Sequence, residues 1–181
     1  MTIANRIYQE VIPRKLTYST QLTIAEQTAW YVLPDGRLAM PKLLTAFQQF
    51  FRKNSEIWLE RFDYKEAGPQ LLMQAYLQRI VNSGGRVERE YGLGRRRTDI
   101  LVLWKHPGGV QRIVTELKLL SKSLKTTIAE GLAQTSEYAD RCAADAAHLL
   151  IFDQRTGRSW DERIWTRQEM YNETPIHIWG L

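Results

Sequence analysis

The sequence predicts an α/β fold, a central mixed β-sheet flanked by helices with an N-terminal helical extension packed on it. Three observations carry this. The runs Ile100 to Trp104 and Arg112 to Leu120 are rich in Val, Ile, Leu and Trp, and His106, Pro107, Gly108 and Gly109 lie between them, which reads as a hairpin. Met40 to Phe62 and Thr126 to Ala144 instead space their apolar residues with a helical period. His148 to Phe152 then reads as a buried strand beyond the second of these helices.

A chain of 181 residues is one ordinary domain, with 44% hydrophobic and 25% charged residues, the balance of a soluble globular protein. No run approaches the roughly 18 apolar residues of a membrane span, and Met1 to Glu10 lacks the apolar core of a signal peptide. Cys142 is the only cysteine, so neither an internal disulfide nor a thiolate zinc cluster is expected, and a cytoplasmic location fits. A net charge of +5 favours a polyanionic partner.

Taken in order, Met1 to Thr28 carries short apolar groups, with Pro13 interrupting any early helix. Pro34, Asp35 and Gly36 make a turn, and the helix from Met40 to Phe62 places Leu44, Phe47, Phe51, Trp58 and Phe62 at helical spacing. That aromatic stripe is read as core packing in preference to a base-stacking platform. Residues 1–62 are taken as the extension and 63–181 as the core. Gly68 and Pro69 break the first helix, and Pro69 opens a second that runs to Asn82, with Leu72, Tyr76 and Ile80 on one side. Ser83, Gly84 and Gly85 end it, and a strand bearing Glu88 and Glu90 follows. Ser159 to Tyr171 is ambiguous between strand and helix, and Pro175 to Trp179 reads as a short last strand.

The chemistry gathers on the hairpin. Strand side chains alternate, so Glu116 and Lys118 share one face while Ile113, Thr115, Leu117 and Leu119 take the other, and Asp99 opens the preceding strand. Two hard oxygen ligands and one ammonium around a single point suit metal-assisted phosphodiester cleavage. Arg95, Arg96 and Arg97 follow two glycines and lead into Asp99, as phosphate contacts or as a solvated basic loop. Lys122 and Lys125 add to the basic approach or serve solubility. His106, His148 and His177 stand at spacings that do not suggest a histidine metal site.

Asp99, the trio Glu116, Leu117 and Lys118, the G-R-R-R-T-D run from Gly94, and Gln134 with Tyr138 four residues on together resemble the PD-(D/E)XK nuclease superfamily. The segments Y-K-E-A-G-P-Q-L-L, N-S-G-G-R-V-E-R-E-Y-G-L-G-R and H-L-L-I-F-D are similar to the nuclease-like C-terminal region of bacterial AAA-ATPase-like proteins, from about Asn5 onward. The resemblance implies a restriction-endonuclease-like core in which Asp99 and Glu116 hold Mg2+ or Mn2+ and Lys118 assists the attacking water. Glu66 is the implied additional acid, with Glu88 and Glu90 as competitors and a charge beside a helix N-terminus as its plain role. Gln134 and Tyr138 are implied at the rim of the site, although the residues alone read as a surface and a packing side chain. DNA is the implied substrate, with RNA not excluded, and an AAA-type ATPase domain or subunit is the implied partner. The chain itself contains no Walker-type G-x-x-x-x-G-K-[ST], so nucleotide binding is not assigned to it. The alternative is an inactive module of the same fold that binds nucleic acid or docks the ATPase. The oligomeric state is left open.

Overall fold

The computed structural model describes residues 30–61, 67–81, 84–93, 96–121 and 123–181, with the backbone alone for 55–61, 67, 89–93 and 96–98. Helices α1 (Met40–Arg61) and α2 (Ala67–Val81) precede strands β1 (Gly85–Leu93), β2 (Arg96–His106) and β3 (Gly109–Leu120). Helix α3 (Leu124–Cys142), β4 (Ala146–Asp153), the short α4 (Trp160–Arg163), β5 (Trp165–Tyr171) and β6 (Thr174–Gly180) follow. The strands form one mixed sheet in the order β1-β2-β3-β4-β6-β5. The first three are an antiparallel meander, α3 carries the chain over to a parallel β4, and β6 is parallel to β4 and antiparallel to the edge strand β5.

Local chemistry accounts for the boundaries. His106 pairs with Gly109, leaving Pro107 and Gly108 as a two-residue loop, and Gly109 takes a φ of 133° that a β-carbon would resist. Ser123 caps α3 by accepting from the Thr126 amide, and Ser159 with Glu162 forms a reciprocal capping box at α4. The ambiguous Ser159 to Tyr171 stretch is therefore one helical turn followed by a strand. Asn172 and Glu173 both have positive φ between the paired Tyr171 and Thr174, the turn geometry that joins twisted antiparallel strands. Two boundaries differ from expectation. Helix α2 starts at Ala67, with Pro69 inside its first turn, where a missing amide leaves no helical bond unmade. Strand β2 starts at Arg96, because pairing with β1 extends it, so Arg96 and Arg97 lie on a strand and not in a loop.

Alternation along β4 divides the interior into two layers. Leu150 and Phe152 join the α1–α2 side, with Leu43, Phe47, Phe51, Met73, Leu77, Ile100 and Ile113. Leu149 and Ile151 join the α3 side, with Ile128, Leu132, Ala139, Ile176 and Ile178. The Phe47 ring lies 5.2 Å from Tyr76 and Phe51 lies 5.3 Å from Phe152, so this part of the aromatic stripe is core. Helix α1, on the N-terminal side of the division at Phe62, shares that core with α2 and the sheet. Among the described residues no helix is long and apolar enough to cross a membrane.

Candidate functional site at a fork in the sheet

The β2–β3 ladder runs from His106 and Gly109 to Ile100 and Thr115 and stops there. Beyond that point β2 continues along β1 as far as Arg96, while β3 continues along β4 as far as Leu120. The sheet forks, and backbone groups facing the gap need other partners. The Leu117 amide finds one by donating to Asp99 Oδ2 at 2.8 Å. Gln70, in the first turns of α2, donates from Nε2 to Asp99 Oδ1 at 3.5 Å. Asp99 thus closes the end of a ladder and fixes its own carboxylate at the fork.

Glu116 lies on the α3-facing side of β3 beside Leu149 of β4, with a side chain only 4% exposed. Its Oε1 accepts from Lys118 Nζ at 2.8 Å, as the shared-face reading requires. Its Oε2 is buried without a hydrogen-bond partner. Burial above all, and then the negative charge of Asp99, push the Glu116 carboxyl up to about 7, although Lys118 and the Asp99 backbone work the other way. A buried carboxylate with an orphaned oxygen, beside a second carboxylate that opposes its ionisation, forms a donor set suited to a hard cation. Among the described residues no three His, Cys, Asp or Glu side chains cluster as a metal site. A cation held by Asp99 and Glu116 would draw the rest of its shell from water or substrate oxygens.

A cleft of about 410 Å³ opens beside the fork, lined by Pro69, Gln70, Asp99, Leu117, Lys118, Leu119 and Phe152. Glu116 is not among its walls, so the cleft meets the acidic pair through Asp99 and Lys118. Pro69, Gln70, Leu119 and Phe152 were not anticipated as site residues. The sequence offers two signals for three of them: Leu119 continues the alternation from Leu117, and Pro69 and Gln70 lie in the first turn of the helix that precedes the meander.

The remaining candidates separate. Glu66, Arg95 and Lys122 lie outside the described residues, and for Arg96, Arg97 and Glu90 only the backbone is described, on β2 and β1. Glu88 pairs with Arg86 at 2.9 Å. Lys125 is exposed on the first turn of α3, and Gln134 is half-buried midway along it. Tyr138 is buried, with its ring against Leu101 and Val114 in a small cluster under β2 and β3. No protein-family model matches the chain, and no curated protein matches it. One pairing had no sequence signal: β6 lies beside β4, which brings His148 and His177 to 5.5 Å between ring centres. His148 Nδ1 accepts from Trp179 Nε1 at 3.2 Å, and its Nε2 is buried without a partner.

Proposed function

We propose that the protein is a metal-dependent nuclease of restriction-endonuclease-like fold that hydrolyses phosphodiester bonds of DNA. The observation that carries this reading is the fork: burial and the charge of Asp99 oppose the ionisation of Glu116, Glu116 Oε2 is orphaned, and Lys118 Nζ stands 2.8 Å from Oε1. The antiparallel meander, the crossover helix and the parallel fourth strand support the fold part of this reading. In the same reading the protein works in the cytoplasm, alongside an AAA-type ATPase domain or subunit.

Mg2+ or Mn2+, held by Asp99 and Glu116, would supply Lewis-acid stabilisation of phosphate oxygens and a more acidic water. The chain's own groups do the rest. The Leu117 amide holds Asp99 in place through Oδ2, so that carboxylate needs little reorganisation when phosphate arrives. Lys118, 22% exposed and lining the cleft, carries a compact positive charge that orients the attacking water and offsets charge growing on the phosphate. Arg96 and Arg97, on the arm of β2 that leads into Asp99, and Lys125 would meet phosphates along the strand.

Labelled single-stranded, double-stranded and branched DNA incubated with magnesium, manganese or chelator tests the reading. Wild-type protein should cut with metal and not with chelator. Lys118→Ala should lose on the order of a hundredfold in rate. Calorimetric titration of manganese at alkaline pH should still show the ion binding that variant. Equal rates for the two proteins would remove Lys118 from the mechanism, and no cutting by wild type with either metal would overturn the nuclease reading.

A further inference from the structure

The cleft at the fork is built unlike a surface for a duplex. Four of its seven lining residues, Pro69, Leu117, Leu119 and Phe152, are apolar, and the other three, Gln70, Asp99 and Lys118, are polar. Leu117 and Leu119 sit near the centre of a six-stranded sheet, packed against the core on the face that α1 and α2 cover, yet both are only partly buried. Leu119 stands beside Phe152 across the parallel ladder, so the two form one continuous wall. A phosphate-tracking groove has no use for such a wall. A base has, because every base presents an apolar face.

Size narrows the occupant. At about 410 Å³ the cleft lies near the small end of ligand pockets, which run from roughly 300 to 1,000 Å³. That is room for one nucleotide, whereas a duplex is far wider than the cleft. Gln70 adds a carboxamide, donor and acceptor together, whose bond to Asp99 at 3.5 Å is at the limit of range and easily exchanged for a base or sugar.

We infer that this cleft takes a single unpaired nucleotide, its base against Leu119, Leu117 and Pro69 and its phosphate at the Asp99 and Lys118 end. The inference rests on the nuclease reading and specifies its substrate as single-stranded DNA, or an unpaired end or junction, over intact duplex. An extruded base must leave its stack, which is least unfavourable where it is already unpaired.

The test uses the full chain, calcium in place of magnesium, and oligonucleotides carrying 2-aminopurine in a single strand or within a perfect duplex of the same sequence. The single strand should bind at least tenfold more tightly, with a change in 2-aminopurine fluorescence that the duplex lacks. Leu119→Gln, close to leucine in volume but polar, should remove most of that preference while leaving duplex affinity unchanged. Leu119→Met should retain it. Equal affinity of wild type for the two forms, or a Leu119→Gln variant that keeps the preference, would overturn the inference. Cleavage in manganese separates its failure from that of the underlying reading. Equal cutting of both forms would sink the nucleotide cleft and leave the nuclease standing. Selective binding without cutting would keep the cleft and sink the nuclease.

Discussion

Replacing Glu116 with glutamine probes the acidic pair without any substrate. Glutamine preserves shape and leaves an oxygen for Lys118, but removes the charge that burial and Asp99 oppose. The folded carboxyl titrates at about 7 against an ordinary 4.5, so between these values the folded chain holds a proton that the unfolded chain has released. Stability therefore falls as pH rises through that window. By linkage the ionised side chain costs the folded state about 1 kcal/mol near pH 5 and about 3 kcal/mol near pH 8.5. Urea unfolding of wild type and Glu116→Gln in chelator, at both pH values, reads this directly. The stability of the variant relative to wild type should rise by about 2 kcal/mol from the lower to the higher pH, whatever offset the amide itself introduces. Adding manganese at the higher pH should stabilise wild type and leave the variant almost unmoved. A stability difference that does not change with pH would show that Glu116 is not held against its ionisation, and the case for a cation there would lose its main support.

Asp99→Ala should cost about 1–3 kcal/mol in chelator, because the Leu117 amide loses its acceptor, whereas Asp99→Asn should cost much less and still abolish metal binding; equal Cm values for the two variants would deny Asp99 its part in closing the ladder. His148 is buried, and burial followed by the charge of His177 draws its pKa down to about 3 from an ordinary 6.5. Its contribution is complete above about 6.5 and is lost as pH falls toward 3, so about 2 kcal/mol should be gone by pH 5. His148→Asn, which keeps an acceptor for Trp179, should flatten that slope in parallel urea series, and an unchanged slope would contradict a neutral buried imidazole. Gly131→Ala would bring a β-carbon to 2.6 Å from the Leu149 side chain and should destabilise by about 1–3 kcal/mol, partly relieved by Leu149→Val; a neutral Tm would mean that α3 can lift off the sheet.

The hairpin and its ion pair were legible because alternation and turn chemistry are local: Glu116 and Lys118 had to share a face once β3 was a strand. The fork was not legible. The arm of β3 has ordinary strand composition while the arm of β2 reads as a basic loop, and the parting of β2 from β3 depends on which neighbour each arm keeps, a property of the assembled sheet. For the same reason Asp99 was readable as a candidate acid but not as the acceptor of a backbone amide. The contact of Gln70 with Asp99 spans two elements and left no trace in either segment. Tyr138 shows the converse. A four-residue spacing placed it beside Gln134, yet the residue-based reading as a packing side chain matches its burial against Leu101 and Val114. His148 and His177 became neighbours through the strand order β4-β6-β5, which no periodicity encodes.

A forked sheet also separates what natural variation can reach. The arm of β2 from Arg96 to Thr98 hydrogen-bonds along β1 alone, whereas the arm of β3 bearing Glu116 and Lys118 is bonded into β4 and, through it, into β6. Substitutions or changes of length in the outer arm disturb one ladder. The same changes beside Glu116 would propagate through three strands. Substitutions in residues 96–98 therefore leave the ladders that hold Glu116 and Lys118 untouched, whereas a change of length there would displace Asp99, so under the nuclease proposal the composition of this arm is freer to vary than its length.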